Sequence, residues 1–231
     1  MIINKFKFPI YGTIIVLSLI IGCIYIYKSV KKEEKNSFLP LFFVMLFPFV
    51  IGLSILSTVI IGLFEGKFII GFSSFGAGVG LLLSAFIFEK IVQLNGKLIK
   101  YSTLALPLIY GISKLACFFA GCCYGIPYNG LFKVKYPFVM DKFLFPVQLL
   151  ESITFIILFI VLNKFKKNNN IIYYVILSSA ILKYSLDFLR YEHVNSSITS
   201  NQIVCIISVI VLIIYLIIIK ISKNKSFRTI K

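Results

Sequence analysis

Charge is scarce in this sequence: only 14% of its 231 residues are charged, and just eight of those are acidic. With 59% hydrophobic residues and a mean hydropathy of +0.99, a water-soluble domain could not hide its apolar surface, so the solvent is a bilayer. Histidine occurs once, as His193, and arginine only twice. No histidine stands near the cysteines, and their C-x4-C-C spacing is not a usual zinc pattern. The five cysteines also lack the spaced framework of a disulfide-stapled secreted domain. No internal repeat is visible, and the glycines of 71–80 lack the strand–turn–helix context of a dinucleotide fingerprint.

What is present is seven apolar runs, at about 10–27, 38–64, 68–88, 103–124, 146–162, 171–189 and 203–219, each near the ~20 residues needed to span. The sequence therefore predicts an all-α membrane protein, a bundle of about seven transmembrane helices in a single polytopic domain over 1–231. A short outer loop falls at about 126–144. Pro40 and Pro48 in the second run predict a kink or an interfacial start. Lys5 and Lys7 ahead of Ile20-Ile21-Gly22-Cys23 loosely resemble a lipoprotein cleavage box, but the apolar run continues past Cys23 and reads as an ordinary first helix.

A net charge of +16 would fit nucleic acid, but the basic residues gather at the ends of apolar runs, which is the mark of membrane orientation instead. Placing the N-terminus outside puts fifteen cations on the inner side and seven on the outer. The topology predicted is N-out, C-in.

Ionisable residues within the runs, or at their mouths, are few: Lys114, Glu151, Lys183, Asp187 and Arg190. Such residues are costly in hydrocarbon and mark working sites by default. Lys183, Asp187 and Arg190 are spaced i, i+4 and i+7, one helix face; Lys114, Cys117 and Gly121 share a stripe, and Gln148 and Glu151 are i and i+3. One reading is a scaffold in which Lys183–Asp187 and Lys114–Glu151 neutralise each other. The other is a site for an anionic headgroup, and both can hold at once. Cys117, Cys122 and Cys123 are read as packing residues rather than as metal or redox ligands. His193 is expected at the solvent-exposed interface, and Asn195-Ser-Ser197 matches a glycosylation sequon. Ser73 and Ser74 could donate to a headgroup or bond back to the preceding turn.

Four blocks, in order, resemble the bacterial prolipoprotein diacylglyceryl transferase family. Phe72-Ser-Ser-Phe-Gly-Ala-Gly-Val-Gly80 is similar to its Ser-Phe-His-Gly-Gly-Leu-Ile-Gly block. Ser113 to Gly125 resembles the Gly-Arg-x-Gly-Asn-Phe-x-Asn-Gly-Glu signature, in the form of a branch that writes Gly-Cys-Phe-x-x-Gly-Cys-Cys-Tyr-Gly. Phe145-Pro-Val-Gln-Leu-Leu-Glu151 resembles His-Pro-x-Gln-Leu-Tyr-Glu, and Lys183 to Arg190 resembles Arg-Phe-x-x-Glu-Phe-x-Arg. Asn201-Gln202 stands at the family's Gly-Gln. The family's histidines fall at Phe75 and Phe145, two of its arginines at Lys114 and Lys183, and a glutamate at Asp187.

The resemblance implies transfer of diacylglyceryl from phosphatidylglycerol to a prolipoprotein cysteine thiol, in the bacterial plasma membrane. No cofactor, no metal and no nucleic acid partner are expected. Lys114, Lys183 and Arg190 would act catalytically by holding the phosphate and the charge of the departing glycerol phosphate. Ser74, Gly76, Gly78, Gly121, Gly125, Gln148, Glu151 and Asp187 would line the substrate site. No residue is an obvious base for the acceptor thiol, since Lys114 or Lys183 could serve only if neutral. The alternatives are a degenerate member binding lipid or protein without transfer, a transferase for a different lipid or acceptor, and a small-solute transporter.

Overall fold

Apolar runs in a bilayer leave the backbone no polar partner but itself, and helix is the form that satisfies it within one segment. The computed structural model describes residues 9–33, 39–64, 66, 68, 70–194 and 197–228, and it is mostly helical. Among them are α1 (Ile10–Glu33), α2 (Leu39–Phe64), α3 (Ser74–Val92), α4 (Lys97–Ala120), α5 (Val147–Lys164), α6 (Ile171–Asp187) and α7 (Ser200–Arg228). Six of these seven are long and apolar enough to cross a membrane. The exception is α6, whose 17 residues extend about 26 Å, short of the ~30 Å hydrocarbon core. It stops at Asp187, two residues before its apolar run does. Elsewhere helices outrun their apolar cores, as α4 does by starting at Lys97, because lysine is nearly as good a helix former as leucine. α2 stays helical through Pro48. Lys5, Lys7, Lys35, Lys67 and Lys231 of the charge count, and Asn195 and Ser196 of the sequon, lie outside the described residues.

The chain divides into two compact units, residues 12–113 and residues 1–11 with 114–231. In the first, α2 and α3 pack backbone to backbone. A Cβ at Gly76 would overlap the Leu53 carbonyl, and one at Gly80 the Phe49 carbonyl, so only glycine allows this approach. Ser73 caps α3 by accepting from the Gly76 N–H, while Ser54 Oγ donates to the Ser73 carbonyl at 2.9 Å. Charge here serves the helix ends: Glu89 accepts from the Gly96 N–H at 2.6 Å and the Ile99 N–H at 2.8 Å, at the start of α4.

The second unit contains the last turns of α4, then a hairpin, α5, α6 and α7. The segment expected as a plain loop carries β1 (Val134–Tyr136) and β2 (Met140–Leu144), antiparallel with Val134 opposite Leu144 and a bulge after Lys135. Phe118, Val134, Tyr136 and Leu144 form a buried cluster, so the hairpin is held by the end of α4. That apolar inner face is why these few residues pair.

Candidate functional site

The second unit draws three helices together around one carboxylate. Glu151, on α5, is fully buried. Its Oε1 accepts from Lys183 Nζ of α6 at 2.7 Å and from Arg190 at 3.0 Å, while its Oε2 lies 3.0 Å from Lys114 Nζ of α4. All three proposed catalytic cations therefore meet one anion. One Arg190 nitrogen, Nη2, reaches both carboxylate oxygens, with Oε2 at 3.1 Å, while its Nε faces Asp187.

Asp187 forms the second centre. It is also fully buried, 3.7 Å from Lys183 Nζ and 3.3 Å from Arg190 Nε. Three cations against two carboxylates leave these five side chains one positive charge in excess. An unbalanced charge in a low-dielectric interior favours an anionic ligand. The pairings of the scaffold reading are both present, Lys114–Glu151 and Lys183–Asp187, but Lys183 sits closer to Glu151.

Arg190 reaches the site by a different route from the one its spacing predicts. Helix α6 ends at Asp187, and Arg190 lies beyond it, its backbone bridged to Gly125. The Ile126 N–H donates to the Leu189 carbonyl at 3.0 Å, and the Tyr191 N–H to the Tyr124 carbonyl at 3.1 Å. Gly125 makes that crossing possible, since a Cβ there would overlap the Phe145 carbonyl. Gly121 sits at φ 67, in the left-handed region glycine tolerates, and turns the chain at the end of α4. Gln148, buried, donates from Nε2 to the Cys122 carbonyl at 2.8 Å. These three residues thus position the cations' backbone.

Ser74, Gly76 and Gly78 belong to the unit of residues 12–113. Ser74 opens α3, Gly76 is taken up by its contact with α2, and a Cβ at Gly78 would meet the Leu106 side chain at 3.6 Å, an ordinary distance.

Two residues join the site that the sequence reading placed elsewhere or passed over. His193 was expected in solvent; its side chain is only 11% exposed, stacked on Phe188 at 5.0 Å with Nε2 3.6 Å from Asp187. The short 3-10 turn Tyr191–Val194 folds it back, its N–H donating to the Arg190 carbonyl at 3.1 Å. Thr199 is the other. Its hydroxyl donates to Asp187 Oδ2 and accepts from the Gln202 N–H at 3.3 Å, while Gln202 Oε1 accepts from the Thr199 N–H at 3.3 Å. That reciprocal pair is a capping box, and Thr-Ser-Asn-Gln was the signal for it. The cysteines read as packing residues also converge: the sulfurs of Cys117, Cys122 and Cys123 all lie within 4.8 Å of one another.

The family model for prolipoprotein diacylglyceryl transferase matches residues 1–218. The chain is also 27% identical over 154 residues to the phosphatidylglycerol–prolipoprotein diacylglyceryl transferase of Clostridium tetani (strain Massachusetts / E88). That match covers 61% of this chain and 61% of the clostridial protein, so less than two thirds of the relative's length is spanned. With the family model covering all but the last residues, this chain belongs to the prolipoprotein diacylglyceryl transferase family.

Proposed function

We propose that this chain moves the diacylglyceryl group of phosphatidylglycerol onto a cysteine thiol of a prolipoprotein, in the bacterial plasma membrane. The observation that carries the reading is the convergence of Lys114, Lys183 and Arg190 on Glu151, with one positive charge in excess. A phosphodiester headgroup supplies the missing anion. During transfer the departing glycerol phosphate gains negative charge, and fixed cations stabilise that state more than the ground state. Glu151 and Asp187 hold the three cations in place before lipid arrives. The reading takes 1–231 as one polytopic domain, N-out and C-in, with 126–144 on the outer face.

A second reading, lipid or protein binding without transfer, draws on the family histidines replaced by Phe75 and Phe145. Phe145 packs edge-on to Tyr128 at 5.3 Å, hydrocarbon where an imidazole would titrate. Complementation of a strain depleted of its own transferase separates the two. Transfer predicts restored growth and a lipoprotein mass gain of one diacylglyceryl group. Good membrane expression without that mass gain rejects transfer. A C-terminal reporter active only on the cytoplasmic side is expected, and an external one overturns the topology.

A further inference from the structure

Alkylating a thiol requires a thiolate, and the five charged side chains of the site offer no evident base for it. The segment after Lys114 supplies another means. Cys117 lies one helical turn beyond Lys114 on the same face of α4. The helix ends at Ala120, and Gly121 (φ 67) and Cys123 (φ 52) then turn the chain through left-handed backbone. The Cys122 N–H donates to the Cys117 carbonyl at 3.1 Å, and Gln148 clamps the Cys122 carbonyl at 2.8 Å. These constraints bring three sulfurs within 4.8 Å of one another.

Packing alone does not call for this arrangement. Left-handed backbone costs a non-glycine residue about 1 kcal/mol or more, and Cys123 adopts it where a glycine would turn freely. The gain is a third sulfur beside the other two. With metal–sulfur bonds near 2.3 Å, tetrahedral zinc holds its thiolates about 3.8 Å apart. A contraction of about one ångström would bring these sulfurs to that spacing. An all-sulfur donor set selects a soft ion, and three protein ligands leave the fourth position open, as in catalytic zinc sites.

We propose that Cys117, Cys122 and Cys123 form a three-thiolate site for a thiophilic divalent ion of the zinc class, whose open position receives the acceptor cysteine. Ion binding stands on the thiol geometry; the acceptor's role rests on the transferase reading. On binding, the acceptor thiol gives its proton to water and stays as thiolate. Its sulfur forms a bond to the glyceryl carbon that bears the phosphate. The carbon–oxygen bond breaks, and its electron pair leaves on the phosphate oxygen of glycerol phosphate, beside the three cations. No atom is oxidised or reduced.

The test uses the full chain, purified in detergent under mild reductant and loaded with Zn2+ or with Co2+ as a spectroscopic probe. One ion per chain is expected, with a near-ultraviolet thiolate-to-cobalt absorption. Cys117→Ser, Cys122→Ser and Cys123→Ser, checked for unchanged helix content, should each lose more affinity than the roughly 10–100-fold that a supporting outer partner supplies. Cys23→Ser keeps its ion. No bound ion, equal binding by the serine variants, or a disulfide among the three cysteines overturns the site. Undiminished lipoprotein modification by the metal-free chain overturns the acceptor role and leaves the transferase reading standing. An ion held by the three thiols in a loaded chain that modifies nothing supports the ion site and rejects the transferase reading.

Discussion

Residues 12–113 and residues 114–231 are built of similarly apolar helices, yet they use polar side chains in opposite ways. In the first unit polar groups close local needs: buried Ser84 donates to the Leu81 carbonyl at 2.9 Å, buried Thr103 to the Ile99 carbonyl at 2.7 Å, and half-buried Glu89 caps α4. Its α2 and α3 touch through Gly76 and Gly80, with no charged side chain in that contact. In the second unit, five ionisable side chains from α4, α5, α6 and the segment after it meet, four of them buried and Lys183 partly so. The contact of α2 with α3 is made without such a cluster. A buried ion network contributes little net stability over apolar residues of similar size. The excess cation is therefore better explained by an anionic ligand than by the fold.

Glu151→Gln breaks that contrast most severely. It leaves Lys114, Lys183 and Arg190 without their shared anion, and loss of one partner from a buried pair costs about 3–5 kcal/mol. Thermal unfolding in detergent should show that loss, and lipoprotein modification should vanish. An unfolding temperature like that of the parent would mean the cations find another anion.

Next in size is Gly80→Ala in the other unit. The new Cβ meets backbone of α2, which cannot swing aside, and overpacking of this kind costs about 1–3 kcal/mol. Modification per folded molecule should be unchanged. A drop in transfer without a drop in stability would give the first unit a chemical role that its packing does not suggest.

Thr199→Ala should cost less, about 0.5–2 kcal/mol for a lost N-cap, together with the hydroxyl contact to Asp187. If it changes transfer more than stability, Thr199 sets the orientation of Asp187 rather than merely capping α7.

How much of this was legible beforehand differs between elements. The helices were, because apolar runs near twenty residues have one solution in a bilayer, and the meeting of Lys114, Glu151 and Lys183 followed from the cost of burying charge. Arg190 is legible as a site residue from the family's last block, but its i+7 spacing places it on a continuing α6. It reaches Glu151 instead through the bridge to Gly125, a tertiary pairing that no helical periodicity encodes. The hairpin at 134–144 is too short to declare itself against its polar neighbours. His193 was misplaced because the 3-10 turn after α6 reverses its direction, and stacking on Phe188 shields it. Thr199 had a readable signal in the capping box, but its contact with Asp187 is long-range. The gathering of Cys123 with Cys117 depends on a left-handed residue that composition argues against.

The central claim is that Arg190, with Lys114 and Lys183, holds the lipid phosphate through transfer. It is tested most directly by following labelled diacylglyceryl from phosphatidylglycerol to a prolipoprotein peptide with purified parent and Arg190→Lys chains. The substitution keeps the charge and replaces the planar guanidinium, which contacts Glu151 through Nη2 and faces Asp187 with Nε, by a point charge. Transfer by the parent and a loss of about 10²–10³-fold in the variant, at unchanged helix content, is the result this account predicts. Equal rates for the two chains would contradict it.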